Sequence, residues 1–109
     1  MRNTIAIVLL LLASQASAGI WTNGKLKVKN VIWIPPIKGI YVSPSLFHDP
    51  GSCNGTENLY AIDTTLPDSD VNQILSIVLN AKAMDKPIHL WVEGCLGTRP
   101  KVKGIQLNQ

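Results

Sequence analysis

Polar and apolar residues alternate from Lys25 to Ile34, with Leu26, Val28, Ile32 and Ile34 on one side and Lys25, Lys27, Lys29, Val31 and Trp33 on the other. A period of two places successive side chains on opposite faces of an extended chain, so this segment is predicted to be a strand. Pro35-Pro36 removes two backbone donors and must end it or turn it. Gly39 to Ser43 is predicted to pair back as a second strand, and Asn58 to Ile62 to form a short third. Between Pro44 and Asn58 the proline, glycine, serine and asparagine content marks a long loop.

The period then changes. Val71, Ile74, Leu75, Val78 and Leu79 recur at helical spacing, and Ile77, Ala81 and Met84 widen the stripe beyond one packing face. Asp68, Ser69 or Asp70 can cap the start, Lys82 and Lys86 suit the negative end of the helix dipole, and Pro87 prevents continuation. Ile88, Leu90 and Val92 alternate with His89, Trp91 and Glu93 in a fourth strand running into Cys95. A fifth follows from Lys101 to Leu107, where Val102 and Ile105 are out of phase by one residue. A bulge at Gly104 restores the inward face. The fold class expected is therefore β-rich α+β, a five-stranded OB-like barrel with one helix between strands three and four. A plain α+β sandwich of the same elements is the alternative.

The first residues add a compartment. Arg2, the apolar run Ile5 to Leu12 and the small residues Ala16-Ser17-Ala18 have the make-up of a cleavable signal peptide, with cleavage expected before Gly19. The run is interrupted by Ser14, Gln15 and Ser17, short of the ~20 apolar residues of a spanning helix. Residues 1–18 are thus assigned to the signal peptide and residues 19–109 to a single domain, periplasmic or secreted, with no membrane span after cleavage. In an oxidising compartment the only two cysteines, Cys53 and Cys95, are expected to form a disulfide. Closing that loop is worth about 4 kcal/mol on a chain-entropy basis, a large share for a small core. Ten Lys and Arg face seven Asp and Glu, and the lysines are spread along the chain, so nucleic acid is not expected as a partner.

The stretch from Val71 to Val92, VNQILSIVLNAKAMDKPIHLWV, with a cysteine before the third strand and Gly94-Cys95 after the fourth, resembles B subunits of the subtilase-cytotoxin and pertussis-like toxins and their small exported bacterial relatives. That resemblance implies an OB-type barrel, a homo-oligomer in the form of a ring of five, and glycan recognition at the subunit surface. It matches no sugar-contacting residue to a position in this chain.

Trp33 and Trp91 fall on expected outward positions, where an indole normally meets something apolar. Cover by a loop, by the helix or by the N-terminal arm bearing Trp21 accounts for them; so does a subunit interface, or a platform that stacks on a sugar. With Tyr41 they are the candidate ligand-binding residues. His48 beside Asp49 could serve acid–base chemistry or a metal, but adjacent side chains rarely converge and His89 lies far away in sequence. Asp63, Asp68 and Asp70 lack the spacing and glycine of an EF-hand. Catalytic motifs of the common hydrolase and nucleotide-binding types are absent from the sequence, and no cofactor or metal is expected. The function expected is a non-enzymatic module that binds a glycan or a protein. The alternatives are a periplasmic interaction or structural protein that binds no sugar, and a small hydrolase using His48.

Overall fold

The computed structural model describes residues 19–108. The elements are β1 (Ile20–Trp21), β2 (Val28–Ile34), β3 (Ile37–Val42), a 3₁₀ turn (Pro44–Leu46), β4 (Leu59–Ile62), α1 (Asp68–Met84), β5 (Ile88–Leu96) and β6 (Arg99–Leu107). They form a small β-rich α+β domain with one helix and one mixed sheet in the order β1-β5-β6-β4-β3-β2. Neighbours are antiparallel except β4 and β6, which run parallel. The expected signal peptide lies outside the described residues.

Two expectations are corrected. The sheet has six strands instead of five, because the first predicted strand is preceded by a separate one: Ile20 and Trp21 pair with Val92 and Trp91. The ladder is also not closed into a barrel. A turn at Gly24-Lys25 separates β1 from β2 and leaves them at opposite ends of the sheet. Between them, the segment is joined to β5 by the Thr22–Leu90 hydrogen bonds and by an isolated bridge from Leu26 to Ile88.

The helix has the predicted bounds, but not the predicted cap. Pro67 occupies the N-cap and no side chain bonds the free N–H groups, while its carbonyl accepts from Asp70 and Val71. Asp68 and Asp70 favour this end through the dipole alone. At the other end Asp85 adopts the left-handed conformation and the Lys86 N–H bonds the Ala81 carbonyl, closing the last turn before Pro87. Val71, Ile74, Val78 and Ala81 are buried, whereas Leu79 and Met84 are exposed. The wide apolar stripe is therefore only half used. The buried half joins Leu26, Ile40, Val42, Tyr60, Ile62, Ile88, Leu90, Val92 and Val102 in one core. Each aliphatic side chain fully buried there is worth about 1.5–3 kcal/mol.

Bulges set which residues reach that core. In β6 the register with β5 shifts between Val102 and Gly104, so Lys103 is the extra residue, one position from the predicted bulge. In β2 the register shifts between Val28 and Asn30, making Lys29 the extra residue. The shift reverses the phase read from the sequence. Val28 and Val31 pack against the core, and Trp33, two residues beyond Val31, shares their face rather than the outward one. Ile34, expected inside, is exposed.

The loop from Ser43 to Asn58 is fastened at several points. Cys53 and Cys95 form the predicted disulfide, with Cα atoms 5.7 Å apart. The two carboxylate oxygens of Asp49 accept from the Cys53 and Asn54 amides at 2.9 Å each. Arg99 pairs with Glu57 at 3.3 Å. Phe47 lies on Tyr60, their ring centroids 5.0 Å apart. The Tyr60 hydroxyl donates to the His48 carbonyl at 2.6 Å and accepts from the His48 amide at 2.9 Å. Burial raises the Tyr60 pKa to about 12, with the His48 backbone bond opposing and the Asp49 charge adding to the rise.

Candidate ligand-binding surface

The three aromatic residues singled out in the sequence do not converge. Tyr41 and Trp91 lie on the side of the sheet opposite the core, since Ile40, Val42, Leu90 and Val92 are the buried members of their strands. They stand on β3 and β5, three strand spacings or about 14 Å apart along the sheet. Trp33 is on the other face, at the far edge. It borders an apolar cleft of about 240 Å³ with Val31, Ile32, Lys38 and Leu75.

Trp91 instead acquires neighbours from β1. Because Trp21 and Trp91 are register partners, their rings meet edge to face, centroids 5.2 Å apart at 70°. Trp21 meets His89 in the same manner, at 6.0 Å and 77°. The Trp91 indole N–H donates to Glu93 Oε2 at 3.2 Å. Trp91 is thus partly covered by the N-terminal arm, while Trp21 keeps 43% of its surface exposed. The result is an edge-to-face aromatic pair with a histidine and a carboxylate on its rim.

β1 is short, and the segment that follows holds it in place. The Thr22 N–H donates to the Leu90 carbonyl and its hydroxyl accepts from the Leu90 amide, both at 2.9 Å. His89 Nδ1 is 3.2 Å from the Thr22 carbonyl. The Asn23 amide donates to His48 Nδ1 at 2.9 Å, a bond that requires this nitrogen to be unprotonated. Asn108 Nδ2 donates to the Gly24 carbonyl at 2.8 Å. A Cβ on Gly24 would overlap the His89 ring, which is why the chain has no side chain there. Both histidines therefore flank residues 22–24. The sequence offered no sign of this, because 41 positions separate them and neither lies in a motif.

Immediately after β4, Asp63 is 2% exposed. Its Oδ1 accepts from the Thr65 amide and hydroxyl at 2.9 Å each. Its Oδ2 makes no hydrogen bond and lies 3.5 Å from Lys103 Nζ, so the β6 bulge aims a lysine at a buried carboxylate. Desolvation by burial pushes the pKa up; the Thr65 bonds and the charges of Lys101 and Lys103 outweigh it, and the net shift is downward from 3.8. Asp68 and Asp70 are not part of this arrangement. Among the described residues no three His, Cys, Asp or Glu side chains are grouped to hold a metal ion, and no helix is long and apolar enough to cross a membrane. No family model, curated protein or solved structure matches the chain.

Proposed function

We propose that the protein is an exported, non-enzymatic binding module with an OB-like architecture, and that it recognises a glycan by stacking on Trp21 and Trp91. The observation that carries this reading is the edge-to-face indole pair on the side of the sheet away from the core, with Trp21 left 43% exposed beside Glu93 and His89. An indole face matches the apolar C–H face of a sugar, and rim carboxylate and imidazole groups supply hydrogen bonds to hydroxyls. The OB-like reading draws support from the parallel β4–β6 pair. It also draws on the chain order: the sheet's two end strands, β1 and β2, are consecutive, and Leu26, two residues before β2, bridges back to Ile88 of β5. The disulfide supports a periplasmic or secreted location.

The hydrolase alternative is the weaker one. His48 Nδ1 is engaged by Asn23, and both Asp49 oxygens hold the loop backbone, which leaves little of the pair for acid–base work.

A glycan array probed with the chain from Gly19 onward tests the proposal. Binding to one class of glycan, lost in Trp21→Ala and Trp91→Ala but kept in Trp33→Ala, is the expected result. A blank array across sialylated and neutral glycans overturns it. A second reading, self-association into a toxin-like ring of five or docking on a protein, is favoured by the exposure of Leu79 and Met84 on α1. Light scattering behind size exclusion tests the ring: a monomer at all concentrations removes it.

A further inference from the structure

The β2–β3 hairpin ends in a tip whose composition is unlike the rest of the surface. Trp33 and Ile34 are 68% and 66% exposed. They lie on opposite faces of β2, Ile34 on the side away from the helix and Trp33 beside Leu75 of α1, so the end of the hairpin is largely uncovered on both faces. Pro35 and Pro36, the two turn residues, are exposed as well. An apolar surface this contiguous marks a contact with something apolar, and an edge open on both faces suits a deformable layer better than a matching groove.

Two further features name that layer. Proline has no backbone N–H, so the turn carries none of the donors that an ordinary two-residue turn would have to desolvate on entering a low-dielectric region. Tryptophan also favours the boundary between headgroups and acyl chains. Charge supplies the second feature. Residues 19–48 contain four lysines and no acidic residue, whereas residues 49–109 contain five basic and seven acidic side chains. The hairpin itself, residues 28–42, holds two of those lysines, Lys29 and Lys38, and no carboxylate, whereas Lys25 and Lys27 precede β2 at the end away from the tip. Lys38 faces Trp33 across the hairpin, and Lys29 is the exposed bulged residue of β2. Only Lys27 is drawn away, to Asp85 at 3.3 Å. Lys29 and Lys38 behind an apolar tip fit anionic headgroups, with the ammonium groups reaching outward from the inserted residues. Of the two carboxylates that border the cleft of Pro36 and Lys38, Asp63 is paired with Lys103 and Asp68 is exposed at the start of α1.

We propose that the β2–β3 tip, Trp33-Ile34-Pro35-Pro36 with Lys29 and Lys38 behind it, is an interfacial anchor that seats the protein on an anionic lipid bilayer. The anchor is separate from the Trp21–Trp91 surface and does not depend on the glycan reading. Seated in this way, the domain is peripheral, held by a few side chains at headgroup depth. The cleft behind Trp33, lined by Val31, Ile32 and Leu75, extends the apolar contact.

The test is partition of the chain from Gly19 onward onto vesicles of phosphatidylglycerol and phosphatidylcholine in equal parts, against vesicles of phosphatidylcholine alone. Circular dichroism and a thermal melt verify the fold of every variant. Partition onto the anionic vesicles should be at least ~10-fold stronger and should weaken with salt. Trp33 fluorescence should shift to the blue and be quenched by lipids brominated near the headgroup. The double substitution Trp33→Ala, Ile34→Ser should lower partition by about 10-fold, Lys38→Gln by about fivefold, and Trp21→Ala should leave it unchanged. No partition at low salt overturns the proposal. So does partition indifferent to the Trp33, Ile34 change, which would mean charge adsorption without insertion. A Trp33-dependent oligomer that ignores vesicles also overturns it, because the tip would then belong to a second copy.

Discussion

On the β5–β6 side of the sheet, Trp91 packs against Trp21, the loop is tied to Cys95 and Arg99, and Tyr60 bonds both backbone groups of His48. On the β2–β3 side, Trp33 and Ile34 are left largely exposed. Both regions are antiparallel hairpins carrying an indole, and their difference comes from their neighbours. β5 is flanked by β1 and β6 and carries the disulfide to the loop, whereas β2 ends the sheet with a neighbour on one side alone and has the helix against only part of one face. The first region ties its aromatics into packing and leaves Trp21 part open for a ligand, whereas the second keeps Trp33 free, so stability and lipid contact should respond to different substitutions.

The largest test of that division is the disulfide. Replacing Cys53 and Cys95 together by serine should cost about 4 kcal/mol in urea unfolding; a loss below ~1 kcal/mol would mean that the loop is held by its other contacts and that the cohesive side was misjudged. Next comes Tyr60→Phe, which leaves the His48 amide and carbonyl without their partner and should cost about 2 kcal/mol. The same residue gives a pH signature. With a folded pKa of about 12 against an ordinary 10.0, the folded state holds the phenol proton more tightly. Its contribution is therefore complete below pH 10 and declines as pH rises towards 12. A thermal-melt series should show that decline in the parent chain and a smaller one in Tyr60→Phe.

A smaller effect, of about 1 kcal/mol, is expected for Lys103→Ala, which removes the cation facing the buried Asp63 carboxylate. Asp63 has a folded pKa below 3.8, so its contribution is present above that value and is lost as pH falls through the lowered one. Lys103→Ala should move this acid loss to higher pH. The smallest effect belongs to the exposed tip. Trp33→Ala should change stability by less than about 0.5 kcal/mol, and a cost of 2 kcal/mol or more in the same melt would place Trp33 among the cohesive residues and erase the contrast.

Much of this architecture is legible from local pattern alone. The helix bounds follow from apolar spacing between Val71 and Met84 and from the stop at Pro87, both properties of a few adjacent turns. The disulfide follows from there being only two cysteines, and the β6 bulge from the phase slip between Val102 and Ile105. The phase of β2 was misread because its bulge falls at Lys29, among residues that alternate acceptably either way, so nothing local signalled the extra residue. The Pro67 cap was missed because three acidic or hydroxylated residues stood ready for the role. β1 was missed for a different reason: two residues carry no period.

The amino-acid order by itself determined which of the longer segments are strands, where the helix starts and stops, and which cysteines can pair. Only the tertiary structure decided that Trp21 covers Trp91, that His48 and His89 flank the same three residues, and that Lys38 stands across the hairpin from an uncovered tryptophan. Those relations depend on strand order and register across the sheet. Both are set by the packing of the whole core, and a linear pattern does not encode them.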